Sequence, residues 1–287
     1  MRDLDYSLRQ MVKKSREGSF GTRAARQAIL LQAAKTLHEL GYRKMRPESI
    51  KPKHVQALVE HWKEQKLTPG TIKNRLSQVR WWAGQVQKPA VVARDNDHYG
   101  IERRRYVTGE DKSKSLDGEK LGRVRDEHTK LSLQLQAAFG LRREESIKFS
   151  PAYADRGDRI VLKASWTKGG KSREIPIRND EQRELLNQAR RLVGRGSLIP
   201  VNKNYIQQLR TYERASMRAG LDKNHGLRHA YAQRRYEEIT GWKCPAAGGQ
   251  DRRALSADQR NLDKAARELI SRELGHERVA IVAVYCG

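Results

Sequence analysis

The chain has 287 residues, too many for one average core, so its length predicts two domains. Its 59 Lys and Arg residues outnumber its 34 Asp and Glu residues, and a formal charge of +25 makes a polyanion, above all a nucleic acid, the first partner to consider. No apolar run reaches the roughly 18 residues of a membrane span, and two cysteines are too few for a disulfide framework. These features argue against membrane-spanning proteins and disulfide-rich secreted domains.

The first 90 residues predict a small basic helical domain. Apolar residues recur at helical spacing in four stretches, at about residues 4–16, 21–40, 52–66 and 69–86. The last stretch has the clearest start, because Thr68 is a preferred N-cap residue and Pro69 suits the first helical position. We interpret Trp81 and Trp82 in this helix as core residues, with stacking on nucleic-acid bases as the alternative.

Residues 91–112 lose this periodicity, which predicts a charged linker that is either a solvated tether or a segment following a nucleic-acid backbone. A second domain then covers residues 113–287. Its helices are predicted at about residues 116–127, 128–139, 180–193, 204–219, 226–239 and 257–273. Two extended stretches, 158–164 and 171–177, are joined by Thr-Lys-Gly-Gly, so we expect a β-hairpin with Lys168 at its tip.

Five short motifs of the second domain carry side chains suited to phosphodiester chemistry. They are Gly-Leu-Arg ending at Arg142, the hairpin lysine Lys168, the His-x-x-Arg of His225 and Arg228, Leu-Gly-His ending at His276, and Tyr285. Breaking a phosphodiester without metal requires a nucleophile, cations for the charge that develops on the non-bridging oxygens, and a proton donor for the leaving oxygen. Arginines suit the phosphate, because a guanidinium offers parallel charge-assisted hydrogen bonds and keeps its charge near neutral pH.

The order, spacing and types of these residues resemble the tyrosine recombinases of the phage integrase type. In that family the pattern is Gly-Leu-Arg-x-x-Glu, a lysine on a β-hairpin, His-x-x-Arg, Leu-Gly-His, and a tyrosine nine residues after the last histidine. Here Glu145 lies three residues after Arg142, and Tyr285 lies nine residues after His276. The resemblance covers most of residues 115–287 and, more weakly, residues 1–90.

The resemblance implies how the phosphate and the leaving group are handled. Arg142 and Arg228 would bind the scissile phosphate, and His276 would hydrogen-bond one of its oxygens. Lys168 would protonate the leaving 5′ oxygen, with Lys171 as its nearest rival.

The resemblance also implies the nucleophile. Tyr285 would attack the phosphorus and form a 3′-phosphotyrosyl link, and His225 would orient the tyrosine or assist its deprotonation. Because that link retains the bond energy, neither a metal nor any other cofactor is required.

The fold class implied is α+β, mostly α: an N-terminal helical (SAM-like) core-binding domain and a catalytic domain of helices with a small antiparallel sheet. The two would grip opposite faces of double-stranded DNA. Monomers in solution would form a tetramer on synapsed sites, with accessory DNA-bending proteins as further partners and no membrane contact. We expect a cytoplasmic, nucleoid-associated bacterial protein that integrates or excises a mobile element. The alternatives are a non-catalytic DNA-binding protein with the same fold and a type IB topoisomerase.

Three features have a second interpretation. His225 and His229 lie four residues apart, which is also half of a zinc site, although we interpret His229 as a core or supporting residue. We interpret Glu145 as a support for the fold or for an arginine. The 51 residues from His225 to His276 are about twice the number usual in compact family members, and the excess, around 241–262, would contact DNA, a neighbouring protomer or neither.

Overall fold

The computed structural model describes residues 3–287. It contains two compact units, an N-terminal unit, Met1–Arg105, and a C-terminal unit, Tyr106–Gly287. Within the described residues, every helix is too short or too polar to cross a lipid bilayer.

The N-terminal unit is built from four helices, as the apolar periodicity predicts. They are α1 (Asp3–Lys14), α2 (Phe20–Glu39), α3 (Pro52–Glu64) and α4 (Pro69–Gln85). Thr68 caps α4, because its side chain accepts a hydrogen bond from the backbone N–H of Thr71. The predicted cap is therefore confirmed.

The core of this unit extends beyond the fourth helix. Val92, Tyr99 and Ile101 are buried among the residues of the helices. The Tyr99 hydroxyl accepts a hydrogen bond from the Ala93 backbone N–H at 3.0 Å, and the Tyr99 carbonyl accepts one from Lys63 Nζ at 2.5 Å. The first part of the segment predicted as a linker thus contributes side chains to the N-terminal core.

The two adjacent tryptophans of α4 have different environments. Trp82 is fully buried, and its indole N–H donates to the Pro47 carbonyl at 3.2 Å. Trp81 lies at the edge of the core, where its indole N–H donates to Glu17 at 2.6 Å and its ring stacks against the Arg26 guanidinium at 4.2 Å. The core interpretation is confirmed for Trp82, and Trp81 packs against the outside of the same core.

Trp82→Ala is expected to lower the free energy of unfolding of the N-terminal unit by about 3–5 kcal/mol, because it empties a large buried volume. Native-state hydrogen exchange of the α2, α3 and α4 amides in the full chain measures this loss. Trp81→Ala is the matched control and should cost much less, since that ring is only half-buried. Equal losses in the two variants would contradict this assignment of the core.

The C-terminal unit is mostly helical. Its helices are α5 (Gly118–Gly122), α6 (Glu127–Phe139), α7 (Arg143–Ile147), α8 (Pro151–Ala154), α9 (Asp180–Val193), α10 (Tyr205–Arg218), α11 (Gly226–Thr240), α12 (Ala257–Leu274) and α13 (Ala283–Cys286). Helix α5 is much shorter than the predicted helix at 116–127. Helix α6 begins one residue before its predicted start, because the Asp126 side chain accepts from the Thr129 backbone N–H at 2.9 Å and caps it.

The predicted hairpin is an antiparallel pair of strands, β1 (Arg159–Leu162) and β2 (Arg173–Pro176), in which Ile160 pairs with Ile175 and Leu162 with Arg173. The strands are shorter than predicted. Residues 163–172 join them and include a single 3₁₀ turn at Ala164–Trp166. The hairpin is confirmed, and its ten-residue connection contains the predicted glycine turn, in which the Gly170 backbone N–H donates to the Thr167 carbonyl at 3.3 Å and Lys168 is a turn residue.

The core of the C-terminal unit surrounds α11. This helix packs against α6, α12 and α13, and its Tyr231 and Tyr236 are fully buried. Strand β2 packs against α12, so the hairpin lies beside the same core. The end of α12 is therefore joined to the sheet, through a hydrogen bond from Arg173 Nε to the Glu273 carbonyl at 2.9 Å.

Candidate active site

A buried arginine, Arg228, lies where three of the sequence motifs meet. It is in the first turn of α11 and is 1% exposed. Its two terminal nitrogens donate to the backbone carbonyls of Gly140 and Leu274, and its Nε donates to the Tyr285 hydroxyl at 3.4 Å. The guanidinium thus connects the Gly-Leu-Arg motif, the Leu-Gly-His motif and the tyrosine.

Gly140 is required for this contact. It ends α6 in the left-handed conformation with φ +62°, and a Cβ atom there would lie 2.5 Å from the Tyr231 ring. A side chain at this position would therefore displace the Tyr231 ring or the backbone whose carbonyl accepts from Arg228.

Beside Arg228, the carboxylate of Glu145 binds two further arginines. Arg142 Nη1 donates to it at 2.8 Å, and Arg173 donates through two nitrogens at 2.8 and 2.6 Å. Burial alone would raise the pKa of Glu145, but the hydrogen bonds and charge of Arg173, followed by the charges of Arg228 and Arg142, lower that pKa to about 2. The interpretation of Glu145 as a support for an arginine is confirmed.

Arg142 is the more accessible of the two predicted phosphate-binding arginines. It immediately precedes α7, and its backbone N–H donates to Glu145 Oε2 at 2.6 Å. Its side chain is 21% exposed. The bonds to Glu145 therefore orient a guanidinium that a ligand can still reach.

Arg173 also belongs to this cluster, although it lies in none of the five sequence motifs. Besides its two bonds to Glu145, its Nε donates to the Glu273 carbonyl at 2.9 Å. It joins β2 to α7 and to the end of α12. One sequence signal was available, because Arg173 occupies an inward-facing strand position two residues before the buried Ile175, where a charged side chain needs a partner.

Tyr285 is in α13 and is 5% exposed. Three histidine rings surround its own ring, with centroid distances of 4.6 Å for His229, 5.5 Å for His276 and 6.1 Å for His225. The Tyr285 backbone carbonyl accepts a hydrogen bond from Gln233 Nε2 at 3.2 Å. His229 and Gln233 thus support the tyrosine, in agreement with the interpretation of His229 as a supporting residue.

All three histidines are neutral at neutral pH. Burial, followed by the charges of Arg228 and Arg142, lowers the pKa of His276 to about 3 and also lowers the pKa of His225. Burial and the neighbouring His225 lower the pKa of His229 to about 4. His276 Nε2 is buried and has no hydrogen-bond partner within residues 3–287, so it can bond to a ligand.

The hairpin lysine does not join this cluster. Lys168 is exposed in the 163–172 loop, and its side chain makes no hydrogen bond or ion pair to the part of the chain that is described. Its rival Lys171 forms an ion pair with Glu277 at 2.5 Å, next to His276. The structure therefore brings together Arg142, His225, Arg228, His276 and Tyr285 and leaves Lys168 outside the group.

His225 and His229 contact each other edge to face at 5.5 Å. Among residues 3–287, no group of three or more His, Cys, Asp and Glu side chains is placed to hold a metal ion. The zinc alternative therefore lacks a third ligand in this part of the chain.

Glu145→Gln is expected to lower the free energy of unfolding by about 3–5 kcal/mol at neutral pH, because it removes one partner of a buried ion-pair cluster. The pKa of Glu145 is depressed in the folded state, so its stabilisation is complete above about pH 4.5 and is lost as the pH falls towards about 2. Urea unfolding at several pH values measures both effects.

The control for this experiment is Glu144→Gln, because Glu144 is half exposed and pairs with Lys148 at the surface. It should leave the unfolding free energy within about 1 kcal/mol of the wild type. If the wild type and Glu145→Gln lost stability in parallel from pH 5 to pH 2, the proposed ionisation of Glu145 would be wrong.

Comparisons with known proteins agree with this architecture. Two family models match the sequence, "phage integrase, N-terminal" over residues 1–89 and "integrase" over residues 111–234. No curated protein matches the chain.

Several solved structures share the fold over nearly the whole chain. A lambda integrase (75–356) dimer bound to a COC′ core site has a TM-score of 0.63 at 14% identity, covering 99% of this chain and 95% of that one. XerH site-specific recombinase bound to a difH substrate has a TM-score of 0.58 at 16% identity, covering 99% of this chain and 81% of that one. Tn1549 transposon integrase in complex with circular intermediate DNA has a TM-score of 0.55 at 12% identity, covering 100% of this chain and 96% of that one. At these identities the similarity establishes the fold.

Proposed function

Because the chain belongs to the phage-type integrase family of tyrosine recombinases, a family of DNA strand-breaking and rejoining enzymes, we propose that it recombines duplex DNA at specific sites through a covalent link to Tyr285. The observation that carries this proposal is the bond from Arg228 to the Tyr285 hydroxyl at 3.4 Å, in a cluster that also holds Arg142 and His276. A phenol among cations that suit a phosphate is the arrangement that phosphoryl transfer requires.

The phosphate would be held by the charged side of this cluster. Arg142 is exposed enough to bind a non-bridging oxygen, and Arg228 places its cationic charge beside the attacking atom. Burial lowers the pKa of Arg228 to about 10, so it stays charged at neutral pH. His276 would donate or accept a further hydrogen bond through its unpartnered Nε2. Negative charge that develops on the phosphate would then face two guanidiniums.

In the proposed step, the Tyr285 oxygen attacks phosphorus as the bond from phosphorus to the 5′ oxygen breaks. The phenol proton passes to a base, for which His225 is available because its lowered pKa leaves it neutral. The 5′ oxygen takes a proton from Lys168 or Lys171 and leaves as a hydroxyl. The product is a 3′-phosphotyrosyl link, and a 5′ hydroxyl of another strand reverses the step without a metal or nucleotide.

We prefer Lys168 as the donor of the leaving-group proton. The loop that carries it is exposed, and the two residues after Lys168, Gly169 and Gly170, have positive φ angles. Such a loop can approach bound DNA without moving the strands. Lys171 is the alternative, because its ion pair with Glu277 holds it near His276.

The biological role that we propose is the integration or excision of a mobile element. The solved structures of similar fold include a transposon integrase bound to circular intermediate DNA and a lambda integrase tetramer bound to a Holliday junction. By analogy, four copies of this chain would act on two synapsed sites, in the bacterial cytoplasm and with accessory DNA-bending proteins. The formal charge of +25 supports extensive contacts with DNA phosphates from both units.

Covalent capture tests the proposed nucleophile. The protein is incubated with EDTA and a library of nicked duplexes of randomised sequence, denatured in SDS, and the DNA that stays attached to protein is sequenced. Wild type should retain a defined sequence class, and Tyr285→Phe should retain none while still shifting duplex DNA in native gels, because only the phenol oxygen is lost.

Three outcomes would contradict this proposal. If Tyr285→Phe still formed adducts, the nucleophile would be a different residue. DNA binding by wild type without any adduct would favour the non-catalytic DNA-binding protein. Rapid relaxation of supercoiled plasmids that lack the captured sequence would favour a type IB topoisomerase.

A pair of adjacent arginines tests the phosphate site. Arg142→Met should lower the rate of adduct formation on the captured sequence by about 10²–10³-fold, because one preorganised cation is lost. Arg143→Met removes the same charge one residue away, where Arg143 pairs with Glu213 at the surface, and should change the rate less than about threefold. Similar rates for the two variants would argue against a specific role of Arg142. Single-turnover gels measure both rates.

A further inference from the structure

The segment between α11 and α12 contacts the residues that carry the proposed nucleophile. We call residues 243–249 the anchor loop and residues 283–287 the tyrosine segment. Cys244 of the anchor loop and Cys286 of the tyrosine segment are both completely buried in one core. Both are free cysteines where α13 contacts the 3₁₀ turn Pro245–Ala247, and hydrogen bonding to Cys244, together with burial, raises the pKa of the Cys286 thiol. Part of the extra segment around residues 241–262 thus packs against the residues that follow Tyr285.

The anchor loop has a closely determined shape. The backbone N–H groups of Ala247 and Gly249 both donate to the Cys244 carbonyl at 2.9 Å. A Cβ atom on Gly249 would lie 1.7 Å from the Lys243 carbonyl oxygen, so no other residue fits without moving the backbone. This turn holds Cys244 towards the core.

The backbone of the tyrosine segment lies directly against this turn. A Cβ atom on Gly287 would lie 2.9 Å from both the Ala246 nitrogen and the Pro245 Cβ. The contact between the two segments therefore includes Gly287, two positions after Tyr285, as well as the buried cysteines.

A second contact holds the tyrosine segment from α12. Arg267 Nη1 donates to the Gly287 carbonyl at 2.8 Å, and Arg267 Nε donates to Asp263 at 2.7 Å. The same Asp263 oxygen accepts from the Tyr236 hydroxyl of α11 at 2.7 Å. Arg267 and Asp263 are both buried, so these bonds are shielded from water and connect the tyrosine segment to two long helices.

The tyrosine segment needs such contacts, because α13 has only four residues and an isolated helix of that length does not form in water. Its position must come from tertiary packing. Without that packing, the Tyr285 hydroxyl would leave the 3.4 Å contact with Arg228.

We propose that the anchor loop and Arg267 hold the tyrosine segment in the reactive position before DNA binds, with Cys244 and Arg267 as positioning residues for Tyr285. This inference rests on the proposed function of Tyr285. A displacement of about 1 Å at a reacting atom can lower a rate about 10²-fold. Loss of the anchor is therefore expected to lower the rate of adduct formation and to leave DNA affinity unchanged.

The two cysteines provide a direct measurement of this contact, since they are the only cysteines in the chain and both lie in it. An aromatic disulfide reagent should modify native wild-type protein slowly, because both sulfurs are buried. Release of the tyrosine segment should accelerate the modification.

The test compares Arg267→Met with Lys264→Met, which removes the same charge from an exposed position of the same helix. The cysteines of Arg267→Met should be modified at least tenfold faster than those of Lys264→Met. At saturating protein, Arg267→Met should form adducts about 10–100-fold more slowly, while the two variants should bind DNA with the same affinity in gel shifts. Arg267→Lys should restore part of the rate, since a lysine can still donate to the Gly287 carbonyl or to Asp263. Gly249→Ala, which alters only the anchor loop, should reproduce the effect of Arg267→Met.

Two results would overturn the inference while leaving the proposed function intact. One is exposure of the thiols in Arg267→Met without a slower cleavage rate, and the other is an equal loss of rate in Lys264→Met. If wild type instead formed no adduct while its thiols stayed protected, the proposed function would fail, and the positioning role would fail with it. The thiol measurement separates these cases.

Discussion

The burial of one cation, Arg228, imposes the arrangement of the whole site. A guanidinium placed in a protein interior costs several kcal/mol unless its N–H groups find acceptors. Here the acceptors are the carbonyls of Gly140 and Leu274 and the hydroxyl of Tyr285. These groups come from the ends of α6 and α12 and from α13, so the burial of Arg228 links the packing of all three helices to the assembly of the site.

Around this cation the structure keeps an excess of positive charge. Three guanidiniums, those of Arg142, Arg173 and Arg228, surround the single carboxylate of Glu145, which leaves two positive charges. The neighbouring histidines add none at neutral pH, because their pKa values are lowered. A phosphodiester carries one negative charge, and further negative charge develops on it as a nucleophile adds. The two excess positive charges therefore match the transition state better than the ground state.

The carboxylate has a second effect, because it limits the freedom of the arginines. Arg173 is held by Glu145 and by the Glu273 carbonyl, whereas Arg142 bonds to Glu145 and remains partly exposed. One arginine thus connects the sheet to the helices, and the other is oriented for a ligand. Rigid support of this kind gives a catalytic side chain its geometry before the substrate arrives.

The sequence by itself determined the helices of the N-terminal unit, the hairpin and five of the residues that converge, since helical periodicity, caps and motif spacing are local properties. It did not determine how short α5 is, or that the strands of the hairpin end at Leu162 and begin again at Arg173. Only the tertiary structure decided the partners of Arg173, the contact of Cys244 with Cys286 and the bond from Arg267 to Gly287. Those contacts join residues from 20 to 100 positions apart. No local pattern specifies them, because they form only when buried polar groups find hydrogen-bond partners and close-packed backbones fit against one another.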